Sequence, residues 1–205
     1  MPIIQFTLQN RGFVLLRAYA RSIHGASGVE TAPDGCTKVR IWVIGAGGAG
    51  GYWGSASPIP YSGAAGGACE SEYSISPGQT LNWALGLGGA ATSSSAGFGT
   101  ESTVTSGSKS ITTMIAEGGN SGTMTVKSSY GTGGNIQNIY GGSQMQSDYR
   151  PQGQPPDSYT EGWKSANFTT VDAVVSSHPG DAGNRAFGPG AGENGYGGAV
   201  FFLYQ

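Results

Sequence analysis

Glycine in this sequence comes in runs, and the run that follows Lys38-Val-Arg-Ile-Trp-Val-Ile44 constrains the fold most: Gly45-Ala-Gly-Gly-Ala-Gly-Gly51. As a string, Gly45-x-Gly47-x-x-Gly50 after a hydrophobic strand matches the dinucleotide fingerprint, in which a tight turn presents a pyrophosphate to the start of a helix. The following residues cannot propagate that helix. Gly51-Tyr-Trp-Gly54-Ser-Ala-Ser-Pro58-Ile-Pro60-Tyr-Ser-Gly63 is broken by glycine and proline throughout, so nucleotide binding is set aside and no cofactor is expected.

The glycines therefore have to be structural. There are 38 in 205 residues, clustered at 45 to 54, 63 to 67, 86 to 99, 118 to 142 and 180 to 198. Each costs roughly 0.5 to 1 kcal/mol of extra ordering entropy relative to alanine, so a folded chain needs a reason to keep them. Disorder avoids that cost, but 7 Phe, 10 Tyr and 4 Trp with only 11 % charged residues fit disorder poorly. A collagen helix is excluded by the lack of a strict Gly-X-Y period. What remains is packed extended helices of the polyproline II type, whose backbones can touch only where glycine removes the side chain. A ten-residue tract spans about 31 Å at 3.1 Å per residue, so five tracts could form a layered slab. Amides unpaired within one such helix must bond to its neighbours, and the core is then built from backbone. That suits a hydrophobic content of 37 %.

Strand patterns frame the tracts. Lys38–Ile44 alternates, with Val39, Ile41 and Val43 on one face and Lys38, Arg40 and Trp42 on the other. Residues 70–75 and 80–85, joined through Pro77-Gly78, are expected as a hairpin. The β-rich run 199–204 should lie beside the Lys38 strand, and 110–116 is a weaker strand. No window supports an amphipathic helix. The expected fold is mostly β with little or no helix, a small antiparallel sheet packed with polyglycine II-like segments.

Residues 1–30 are expected as an N-terminal hairpin and attachment element, with strands on either side of Asn10-Arg-Gly12, and 31–205 as the glycine-rich domain. Ala18-Tyr19-Ala20 mimics a signal-peptide cleavage site, but Phe13–Leu16 is too short for the apolar region and has no basic segment before it. No stretch reads as a transmembrane span, so membrane insertion is not expected. A net charge of −2 argues against nucleic acid as a partner. His24 and His178 have no metal-ligand spacing and no G-x-S-x-G elbow occurs, so neither a metal nor a catalytic residue is assigned. Asp148, Asp157, Glu161 and Asp172 could supply a glycosidase pair, although scattered acids on a polar loop are usually solvated. Cys36 and Cys69 are expected as free buried thiols, with a disulfide as the alternative.

The order Ala32-Pro-Asp-Gly-Cys-Thr-Lys-Val-Arg-Ile-Trp-Val-Ile-Gly-Ala-Gly-Gly-Ala-Gly-Gly51, Ser76-Pro-Gly-Gln-Thr-Leu81, Leu85-Gly-Leu-Gly-Gly89, Gly97-Phe-Gly99, Ala116-Glu-Gly-Gly119 and Asn194-Gly-Tyr-Gly-Gly-Ala-Val200 resembles the glycine-rich domain at the distal ends of bacteriophage tail fibres and in tail adhesins. The resemblance covers about residues 31 to 205. It implies stacked polyglycine II helices with variable loops at one end that contact the host receptor. It also implies location in the virion tail after synthesis in the host cytoplasm, other tail fibre or baseplate proteins as neighbours, and a three-fold fibre context in which a homotrimer is one expected assembly. The Gly-poor segment 143–179 departs from the regular pattern and is rich in aromatic and charged residues. Such a loop on a rigid scaffold suits recognition, while a satellite core of packed aromatics is the bland alternative. The residues expected to carry receptor contact are Trp53, Tyr61, Tyr149, Tyr159 and Trp163, on a host glycan or an outer-membrane protein. Two other functions stay open: a purely structural tip or capping protein, and a tailspike-type glycan hydrolase.

Overall fold

The computed structural model describes residues 4–8, 14–20, 26–52, 61–122 and 190–205. The fold is mostly β, and the described residues contain no helix. Among the described residues nine strands run in chain order: β1 (Ile4–Leu8), β2 (Val14–Ala20), β3 (Ser27–Thr31), β4 (Lys38–Ile44), β5 (Ala68–Ser74), β6 (Thr80–Ala84), β7 (Ser102–Ser106), β8 (Met114–Ala116) and β9 (Ala199–Tyr204). They form two antiparallel sheets, ordered β1-β2-β9-β4-β5 and β3-β6-β7-β8.

The alternation of Lys38–Ile44 decides how the sheets meet. Val39, Ile41 and Val43 are fully buried and join Val200, Phe202 and Tyr204 of β9 in a core that also contains Leu81, Trp83, Val104 and Met114 of the second sheet. The sheets thus pack face to face across one apolar layer. On the other face of the first sheet, Arg40 sits 3.6 Å from Glu70 and 3.3 Å from Glu72, and Lys38 lies 3.5 Å from Glu72. β9 pairs with β4 as expected, with Ile41 opposite Phe202. β1 and β2 pair antiparallel, also as expected, and β2 adds to the edge of β9.

The expected hairpin at 70–85 is corrected. β5 pairs with β4 in one sheet, whereas β6 pairs with β3 and β7 in the other. The Pro77-Gly78 turn passes the chain between layers; Gly78 has φ of 76°, and its N–H donates to the Ala32 carbonyl at 3.0 Å. The weak strand at 110–116 shrinks to Met114–Ala116, and two strands not anticipated, β3 and β7, fill the second sheet.

One buried carboxylate ties the sheets together. Glu30 of β3 is only 1 % exposed. Its Oε1 accepts from Arg17 Nη1 and from Tyr204 OH, both at 2.9 Å, and its Oε2 accepts from Tyr19 OH at 2.6 Å. Tyr19 also stacks on Trp83 with ring centroids 4.2 Å apart. Burial first, then the neighbouring carboxylate, pushes both phenols well above their usual range, so they remain donors at neutral pH.

Beyond the sheets, six strands continue into six glycine-rich extended segments. The 45–52, 85–90 and 117–122 segments leave β4, β6 and β8, while 61–67, 96–101 and 190–198 lead into β5, β7 and β9. The 45–52 segment is the hub, and its amides count out a three-residue turn. Gly45, Gly48 and Gly51 donate to Gly67, Ala64 and Tyr61 at 2.8 to 2.9 Å; Ala46 and Ala49 donate to Thr100 and Gly97; Gly47 and Gly50 donate to Tyr196 and Glu193. Successive amides thus address three different neighbours before the cycle repeats, as a three-fold extended helix requires. The remaining two segments donate into the hub, Gly89 to Gly47 and Gly119 to Ala46.

These glycines are selected by space, since the only described glycines with positive φ are Gly35, Gly78 and Gly190. At Gly45 a Cβ would collide with the Glu117 carbonyl, and at Gly48 with that of Asn120. Ala46 and Ala49, whose methyls the packing does accommodate, are fully buried. The five tracts expected from sequence become six segments because the 86–99 tract folds back on itself, with Ala91 bridging Ala96.

Candidate functional site

The direction of the six segments fixes where their connections lie. Chain leaves the sheets along 45–52, 85–90 and 117–122 and returns along 61–67, 96–101 and 190–198, so the segment ends at 52, 61, 90, 96, 122 and 190 all lie away from the sheets, and 91–95 joins two of them there. The hydrogen bonds show these ends to be level: Gly51 N–H reaches Tyr61 O at 2.9 Å, Gly50 N–H reaches Glu193 O at 2.9 Å, and Gly122 N–H reaches Ala49 O at 2.8 Å.

The one connection described in full is rigid. Thr92 N–H donates to Ser95 O at 2.8 Å, and Thr92 Oγ1 accepts from Ser95 N–H at 2.9 Å. Ala91 N–H donates to Asn194 Oδ1 at 2.7 Å, which pins this turn to the last glycine segment. Residues 92–95 are nevertheless exposed. A fixed, hydroxyl-rich tip of this kind suits contact with a partner.

Of the residues expected to bind a receptor, Tyr61 is described. It is half-buried at the head of its segment, beside half-buried Tyr52, and its carbonyl is held by Gly51. Trp53, Tyr149, Tyr159 and Trp163 lie outside the described residues, as do Asp148, Asp157, Glu161 and Asp172. Sequence reasoning missed three exposed side chains along the segments, nearer the sheets: Phe98 is 66 % exposed, Leu87 46 % and Tyr196 41 %. They stand on adjacent segments, because Thr100 N–H bonds to Leu87 O and Gly195 N–H to Gly89 O. A signal for them was present. Each sits between two glycines, as Gly86-Leu87-Gly88, Gly97-Phe98-Gly99 and Gly195-Tyr196-Gly197. Where glycine alone fits inward, a bulky residue between glycines has to face solvent.

The described glycine segments carry Glu101, Glu117 and Glu193 and neither lysine nor arginine. Their surface therefore offers acceptors and apolar faces, which match hydroxyl-rich or cationic partners better than anionic ones. Among the described residues no cluster of His, Cys, Asp or Glu could hold a metal, and no helix is long and apolar enough to cross a membrane. Both cysteines are buried and neither forms a disulfide.

A family model described as a glycine-rich domain matches residues 22–202. The chain belongs to this glycine-rich domain family. The family match takes in seven of the nine described strands in whole or part, all but the N-terminal pair, since it begins after Ala20 and spans β3 through most of β9 together with the six glycine segments. No curated protein sequence matches the chain.

Proposed function

We propose that this member of the glycine-rich domain family is a bacteriophage tail fibre or tail tip protein that binds the host cell surface, located in the virion tail and lacking enzymatic activity. The observation that carries the reading is that the described glycine segments end together around Gly51, Tyr61, Gly122 and Glu193, away from the sheets, while the sequence 123–189 between two of them is rich in aromatic residues. A slab built from backbone leaves the sequence between its segments free to vary, which suits an adhesin facing changing receptors. The resemblance in motif order supports the same reading. Trp53, Tyr61, Tyr149, Tyr159 and Trp163 are the proposed anchors, on a host glycan or an outer-membrane protein loop. The 1–21 hairpin is proposed to attach the protein to other tail fibre or baseplate proteins, in a three-fold setting.

The test is competition. Purified protein is expected to coat susceptible cells and block infection by the parent phage, and alanine at one anchor should weaken cell binding by about 2 kcal/mol without lowering the melting temperature. Failure to bind any susceptible cell, with assembly into particles intact, would replace the adhesin by a structural tip.

A further inference from the structure

The opposite end of the molecule, under the sheets, holds a cavity of about 380 Å³. Its walls come from three separately pinned pieces of chain. One is Cys36-Thr37, held by Thr37 N–H on the Gln205 carbonyl at 2.6 Å and by Ile75 N–H on Thr37 O at 3.0 Å. The second is the turn from Ser76 to Gln79, in which Ser76 N–H donates to Gln79 Oε1 at 2.8 Å and Gln79 N–H to Ser76 O at 3.1 Å. The third carries Lys109. Its neighbour Ser108 exchanges two bonds with Thr80, Thr80 N–H to Ser108 Oγ at 2.8 Å and Ser108 N–H to Thr80 Oγ1 at 2.9 Å, while Lys109 N–H donates to Thr80 O.

Lys109 is half-buried, lines the cavity and has no ion-pair partner among the described residues. Every other lysine or arginine among them, namely Arg17, Lys38 and Arg40, is ion-paired. The groups facing the cavity beside it are donors: the hydroxyls of Ser74 and Ser76, and the Gln79 amide, whose oxygen is already engaged, while the Thr37 hydroxyl already donates to the Gln205 carbonyl. Burial pushes the Cys36 thiol up, so at neutral pH it is uncharged and adds no competing anion. No carboxylate, imidazole or aromatic ring lines the space, so it offers neither cation ligands nor a stacking face.

We propose that this cavity binds a carboxylate, with Lys109 as counter-ion and the hydroxyls completing its hydrogen bonds. A single ammonium balances the one charge of a carboxylate, whereas a phosphate dianion would leave a negative charge uncompensated. The site is independent of the adhesin reading. The carboxylate belongs either to a free small molecule or to an acidic side chain of a neighbouring protein.

Titration of the full chain with N-acetyl-glutamate α-amide, followed by amide NMR, tests it. Saturable shifts confined to residues around 36–37, 74–79 and 108–109 are expected, and the neutral glutamine analogue should give none. Lys109→Met should weaken binding about tenfold or more with an unchanged melting temperature, and Lys109→Arg should restore most of it. A hexaglutamate peptide binding at least about tenfold tighter than the monomer identifies the source as a protein segment, and equal affinity identifies a small molecule. Equal binding of the glutamine analogue, undiminished binding by Lys109→Met, or no saturation would each overturn the proposal.

Discussion

At the scale of single residues, two kinds of position hold the molecule together for opposite reasons. Gly48 is indispensable for what it lacks. A Cβ there meets the Asn120 carbonyl, which is backbone and itself accepts the Ala64 N–H at 2.9 Å, so neither side can yield. Gly48→Val is expected to cost upwards of about 3 kcal/mol in urea denaturation, or to prevent folding, while Ala46→Gly should cost only about 1 kcal/mol. Glu30 is indispensable for what it carries. Glu30→Ala leaves the buried Tyr204 phenol, the half-buried Tyr19 phenol and the Arg17 guanidinium without their acceptor, and a loss of about 3 kcal/mol is expected by the same measurement. Glu70 works against the fold at neutral pH. Burial raises its carboxyl above the usual range, with Arg40 only partly offsetting this. The folded state therefore holds that proton more tightly than the unfolded chain, and stability falls as pH rises through the window between the ordinary glutamate value and the raised one. Glu70→Gln removes this slope. Thermal melts of the variant and the parent should differ more in the variant's favour at pH 7 than at pH 4.5.

At the scale of elements, legibility depended on whether a pattern was local. Lys38–Ile44 announced its buried face by strict alternation, and β9 announced itself by β-branched and aromatic content. β3, Ser-Gly-Val-Glu-Thr, offered neither, because its one deeply buried side chain is charged and its partners lie on β2 and β9. β7, Ser-Thr-Val-Thr-Ser, buries Val104 but otherwise reads as polar loop. The hairpin at 70–85 misled because a Pro-Gly turn looks alike whether it joins two strands of one sheet or passes between layers. The candidate site was legible only in outline. Glycine tracts marked the slab, but not that the 86–99 tract turns at 91–96, nor that the described segments end together away from the sheets. The Gly-X-Gly rule would have located the exposed side chains, and it is testable. Leu87→Ser and Phe98→Ser should leave the denaturation midpoint nearly unchanged because both side chains face solvent, whereas Gly88→Val, aimed at the Gly195 carbonyl, should lower it sharply.

At the scale of the whole molecule, two different cores are joined end to end. Between the sheets the core is ordinary, with Ile41, Val43, Phe202, Leu81 and Val104 fully buried. In the slab the buried material is peptide: residues 45–51 are all buried, and the side chains among them are two methyls. The two should leave different thermodynamic marks. Exposing apolar surface raises the heat capacity on unfolding, while exposing peptide groups lowers it. A chain whose glycine segments are stabilised by inter-segment backbone hydrogen bonds should therefore unfold with a heat-capacity increment per residue below the usual 12 to 15 cal/mol/K, about 10 or less. Scanning calorimetry across a pH series measures this directly, from the slope of unfolding enthalpy against melting temperature. An increment within the ordinary range would mean that the slab is not buried as peptide in solution. It would also remove the rigid support on which the proposed recognition end depends.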